Sequence, residues 1–146
     1  MTLSESVSRY LAPTEAAGRA FVMRQLAGNV VMLNLLRFRA IADYSAAPEL
    51  APSSPITGEQ AFQRYIAHTL PFLCESGGSI DYLGRGGPLL IGPADERWDM
   101  AMLIRQCSVE SFLSFASHQG YLAGLGHRTA AIEDSRLLPL TDITAP

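Results

Sequence analysis

The run V-V-M-L-N-L-L-R-F, from Val30 to Phe38, constrains the fold more than any other part of the chain. As a strand it sends Val30, Met32, Asn34, Leu36 and Phe38 to one face, and Val31, Leu33, Leu35 and Arg37 to the other. Both faces are apolar, with Asn34 and Arg37 as the only polar members. A strand of this kind must be covered on both sides. The rest of the chain supplies one layer of helices, so the second cover is expected from another subunit.

The flanking pattern predicts the other elements. Thr14 is placed to cap a helix through about Ala27, with Gly28 at its exit. Residues 40–56 carry three prolines and several small residues, and read as a mobile loop or a lid. Thr57 caps the clearest amphipathic helix, in which Ala61, Phe62, Tyr65, Ile66, Thr69, Leu70 and Leu73 recur at three and four. Pro71 is expected to kink or restart that helix, and Gly77-Gly78 to end it. Ser79 to Gly84 reads as a strand, interrupted at Arg85-Gly86-Gly87-Pro88 and continuing to Ile91. Trp98 to Cys107 returns as a strand. Ser108 caps a helix, a second helical piece runs from about Gly120 to Ile132, and Ser135 to Leu140 closes the chain as a strand. The order β-α-β-β-α-β is the split arrangement of ferredoxin-like α+β domains. Residues 1–28 form an N-terminal helical extension in this reading, and residues 29–146 the domain.

Composition narrows the function classes. The chain has 146 residues, a net charge of −3 and no basic stripe, so nucleic-acid binding is not expected. No stretch approaches the roughly 20 apolar residues of a membrane helix, and the N-terminus lacks the form of a signal peptide. Cys74 and Cys107 make no metal-binding pattern, and each is expected as a small buried hydrophobe in a cytoplasmic protein. All 11 basic residues are arginine. A coding bias accounts for that, and so does a use for planar guanidiniums in carboxylate recognition.

Four blocks carry a resemblance: M-L-N-L-L-R-F, G-E-Q-A-F-Q-R-Y, G-R-G-G-P-L-L-I-G-P-A-D-E-R-W-D and H-R-T-A-A-I-E-D-S-R. Over roughly residues 29–140 the chain resembles the domain-of-unknown-function family 1330, within the dimeric α/β barrel superfamily. The resemblance implies two four-stranded antiparallel sheets packed face to face across a two-fold axis, with helices outside. That superfamily includes cofactor-free monooxygenases, haem-degrading monooxygenases and muconolactone isomerase-like enzymes, so fold membership assigns no chemistry. Haem-degrading relatives carry an Asn on the first strand, a Trp on the third and a His on the following helix. Asn34 and Trp98 match in type and order, but His118 ends one helix and His127 lies in the next.

The candidate site is expected to work without metal or organic cofactor, in proton transfer or oxygen insertion on a small aromatic or anionic metabolite. Asn34, mid-strand among aliphatics, is placed to polarise a developing oxyanion, or to bond nearby backbone. His127 is the candidate base toward a phenol or carbon acid. Arg128 shares a helical face with Tyr121, seven residues earlier, and is placed to hold an anionic group. Arg37 and Arg105, each near a strand end, are candidates to converge on a carboxylate, with Trp98 as an aromatic wall. Salt bridges to Asp81, Asp99 or Asp134 are the structural alternative for the arginines. A non-catalytic binding or structural dimer module is the alternative for the whole chain, and a haem-binding or haem-degrading monooxygenase is the third reading.

Overall fold

The computed structural model describes residues 9–143. Helix α1 (Glu15–Met23) starts at Thr14, whose hydroxyl accepts the Ala17 N–H, and ends sooner than the sequence suggests. Gln25 takes a left-handed φ of 51° just beyond it, so the chain turns before Gly28. Strand β1 (Val30–Phe38) follows. Helix α2 (Gly58–Glu75) opens with a complete capping box, in which Thr57 and Gln60 bond each other's backbone N–H. Pro71 lies inside α2 without breaking it, on the solvent side, while Leu73 beyond it is buried.

Strand β2 (Ser79–Pro88) runs straight through Gly84, Gly86 and Gly87, and its irregularity falls at Asp81 instead. It stops at Pro88, leaving Leu90 and Ile91 fully outside the sheet. Strand β3 (Arg97–Gln106) leads to α3 (Val109–Ala116), then to α4 (Gln119–Leu122) and α5 (Leu125–Ala131). The helix predicted over 120–132 is thus two pieces. The break falls at Ala123–Gly124, where the His68 ring occupies the space a Cβ at Gly124 would need. Strand β4 (Ile132–Thr141) leaves α5 directly and is longer than expected. Cys74 and Cys107 are both exposed, contrary to expectation, because each sits at the end of its element beyond the packed region.

The sheet order is β2-β3-β1-β4, with antiparallel pairing throughout. With α2 and α3–α5 as the two crossovers, this is the ferredoxin-like fold. The core lies between sheet and helices, around Leu36, Ala61, Phe62, Met100, Met102 and Ile132. A smaller cluster joins Val30, Met32 and Val109 to α1, where Phe21 meets Phe112 edge-on at 5.9 Å. On the opposite face Leu33, Leu35 and Leu103 are only partly covered, and Tyr82 and Leu138 are exposed.

Candidate functional site

The seven residues expected to form a site divide between the two faces of the sheet. Asn34 points into the helix-covered side, where it is buried between Met102 and Leu137 of the neighbouring strands. Its amide donates one N–H to the Met32 carbonyl at 3.1 Å, a bond made within its own strand.

His127 lies on α5 under the loop between β1 and α2. Its Nδ1 is 2.7 Å from the hydroxyl of Tyr44, with the two rings edge-to-face at 5.6 Å. Burial, then the nearby Arg64 and His68, hold the imidazole below its ordinary pKa. Burial pushes the Tyr44 phenol up, outweighing Arg64. Both groups are therefore neutral near pH 7, and the imidazole tautomer decides which of them donates across the 2.7 Å contact. Tyr44 belongs to a loop that is held down: Ala42 N–H bonds Ile56 O, Asp43 N–H bonds Ala130 O, and a 3-10 turn spans Pro48–Leu50. Sequence reasoning passed over Tyr44; its one signal was an aromatic alone among small residues.

Tyr121, on α4, bonds the Tyr65 hydroxyl at 2.8 Å. Burial first, then Tyr121, drive the Tyr65 phenol far above the usual range, so this pair is a neutral core bond. Arg128 does not share a helix with Tyr121, because the chain breaks between α4 and α5. Its guanidinium is taken by the Leu11 carbonyl and the Ser135 hydroxyl. The same N-terminal segment is tied down through Tyr10 N–H to Asp134 and Ser135 Oγ to Tyr10 O.

Arg37, Trp98 and Arg105 belong to the other side. Arg37 pairs with Glu133 at 2.9 Å and Asp134 at 3.6 Å, and lies 5.7 Å from the Trp98 ring. Arg136 covers the same ring at 5.0 Å and bonds Asp134 at 2.8 Å. Arg105 pairs with Asp81 at 2.7 Å and Asp142 at 3.2 Å. Because Arg105 stands opposite Val31, it lies six residues along β1 from Arg37, roughly 20 Å away. The two guanidiniums do not converge.

Two open clefts adjoin these groups. One, of about 380 Å³, is lined by Phe38, Arg39, Thr57, Glu59, Arg85 and Asp99 among others. The second, of about 290 Å³, lies against the β1–α2 loop and is lined by Ile41, Ala42, Tyr44, Pro52, Pro55 and Ile56 among others. Tyr44 thus links the second cleft to His127. Neither cleft is lined by Asn34 or His127 itself. Among the described residues no group of three or more His, Cys, Asp or Glu is placed to hold a metal ion.

No family model matches the chain, and no curated protein does. A solved structure does: RPA0582 of Rhodopseudomonas palustris, described as a protein of unknown function, is 30% identical over 94% of this chain and 100% of its own, with a TM-score of 0.81. Its methylated form gives 30% identity, 94% and 98% coverage, and a TM-score of 0.83. The chain belongs to the RPA0582 family. The similarity covers nearly the whole length of both proteins.

Proposed function

We propose that the protein is a homodimer carrying a cofactor-free proton-transfer site for a small, largely apolar metabolite of phenol-like or carbon-acid character. The observation that carries this reading is the 2.7 Å bond between Tyr44, on the wall of the 290 Å³ cleft, and Nδ1 of a neutral His127. With the ring proton of His127 on Nε2, a substrate in the cleft would give its proton to the Tyr44 oxygen while Tyr44 passes its own to Nδ1. Tyr44 is then the group touching the substrate, and His127 the base behind it. Arg64 and His68 disfavour the imidazolium, so the proton returns readily. The dimer reading rests on the open sheet face, with Leu33, Leu35, Leu103, Leu138 and Tyr82 as its apolar centre. Two such faces packed together give the barrel that the resemblance to family 1330 implies.

Deuterium uptake from D2O into the α-carbon of a small aryl ketone, followed by proton NMR, tests the chemistry. The wild type should catalyse exchange, and Tyr44→Phe and His127→Gln should each lose about 100-fold or more. Equal exchange in all three proteins would remove the assignment.

A non-catalytic binding module is the second reading, favoured by Asn34 spending its amide on Met32 and Arg128 spending its guanidinium on Leu11 and Ser135. It gives saturable binding of phenol with no exchange. The haem reading has no support in the geometry. Trp98 packs with Arg37 and Arg136 away from Asn34, and His118 Nδ1 is occupied by the Gly120 N–H at 3.0 Å.

A further inference from the structure

Arg39, just past β1, stands apart from the other arginines of the sheet. Its backbone is fixed on both sides: its N–H bonds Ala131 O at 2.8 Å, and its carbonyl accepts the Gly58 N–H at 3.1 Å. That contact is so close that a Cβ at Gly58 would collide with the Arg39 backbone, which explains a glycine in the first turn of α2. Among the described residues the guanidinium makes no ion pair or hydrogen bond, and its Nε is buried without a partner. A buried donor left without a partner carries its full desolvation penalty.

The side chain lines the 380 Å³ cleft, which holds two carboxylates already committed elsewhere. Glu59 pairs with Arg85 at 2.6 Å. Asp99 accepts the Phe38 N–H at 2.8 Å and pairs with Arg97 at 3.1 Å. Asp43, whose charge Arg39 also stabilises, is bonded to the Ser45 N–H at 3.0 Å. What remains in the cleft is one uncommitted cation beside the Phe38 ring.

We propose that this cleft is a binding site for a small aromatic or aliphatic monocarboxylate, with the Arg39 guanidinium taking the carboxylate and Phe38 contacting its apolar part. A single free guanidinium fits a single negative charge, and its fork suits the two oxygens of a carboxylate. The Thr57 hydroxyl is not a competing ligand, because it accepts the Gln60 N–H in the capping box. The site is distinct from the Tyr44 cleft, so it stands or falls independently of the proposed proton transfer.

Benzoate titrated into the 15N-labelled protein is the test, with benzamide as the uncharged isostere. Benzoate should give saturable amide shifts clustered at Phe38, Arg39, Thr57, Glu59 and Gly86, with affinity roughly millimolar for so small a ligand. Benzamide should bind at least about tenfold more weakly, and Arg39→Gln should lose about tenfold or more for benzoate. Arg39→Lys should recover part of that loss, and Arg105→Gln, at the far end of the sheet, should bind as the wild type does. Equal responses to benzoate and benzamide, undiminished binding by Arg39→Gln, or shifts confined to other residues would overturn the site. The benzamide arm uses the wild type alone, so it decides even if a variant folds poorly.

Discussion

The two faces of the sheet end differently, although both are built from the same alternating strands. On the helix side Leu36, Phe62 and Ile132 are fully enclosed; of the polar groups that enter, Asn34, Tyr65 and Tyr121 carry hydrogen bonds, while Thr69 Oγ1 and Gln106 Nε2 have no partner among the described residues. On the open side the apolar residues gather in the middle, at Leu33, Leu35, Leu103, Leu138 and Tyr82. Ion pairs bound that centre at both ends. Arg105 with Asp81 and Asp142 closes one end, and Arg37 and Arg136 with Asp134, Glu133 and Trp98 close the other. An apolar centre inside a charged rim is how a protein–protein interface is arranged. One face is enclosed, and the other carries a partly exposed apolar centre.

Substitutions on the two faces should therefore report on different equilibria. The largest effect belongs to Phe62→Ala, which empties a fully buried aromatic site and should cost about 3–5 kcal/mol in chemical denaturation. Leu33→Glu, on the open face, should leave the melting of the single subunit nearly unchanged. It should weaken self-association about 100-fold or more, as measured by sedimentation, since each copy would bury a charge against the other. If Leu33→Glu instead unfolds the subunit, the open face is part of the subunit's own core.

A smaller effect is expected where the loop meets α5. Tyr44→Phe removes the bond to His127 and should cost about 1 kcal/mol, with a rise in the exchange of the Ala42 and Asp43 amides. The smallest is a pH slope. His127 is held below its ordinary value of 6.5, so the unfolded chain takes up the proton first as pH falls. Stability should be full above about pH 6.5, decline below it, and level off once the folded imidazole also protonates. His127→Gln should flatten that slope in melts run across the interval. A slope that is unchanged would place His127 in an ordinary solvent environment.

How much of this was legible in the sequence follows from what kind of signal each feature leaves. The two-sided strand Val30–Phe38 and the caps at Thr14, Thr57 and Ser108 are local patterns, and each appears where periodicity and capping chemistry put it. The partners of the arginines are not local. Arg37 and Arg105 both look like strand-end residues, and only the register of β1 against β3 shows that they mark opposite ends. Arg128 and Tyr121 have the seven-residue spacing of one helical face, and nothing in the residue pattern marks the break between α4 and α5 that separates them. Tyr44 lay in a segment whose prolines argued for mobility, yet Ile56 and Ala130 fasten it through backbone bonds that no side-chain pattern announces. Arg39 is similar: its isolation is a fact about what surrounds it.

Sedimentation equilibrium of the wild type, run from micromolar concentration downward, bears most directly on the unfinished face. The mass should be twice the 15.8 kDa of one chain, with Leu33→Glu shifting it toward a single chain that keeps its circular dichroism. A wild type that sediments as one 15.8 kDa particle at every concentration, folded and soluble, would mean that the exposed leucines need no second copy.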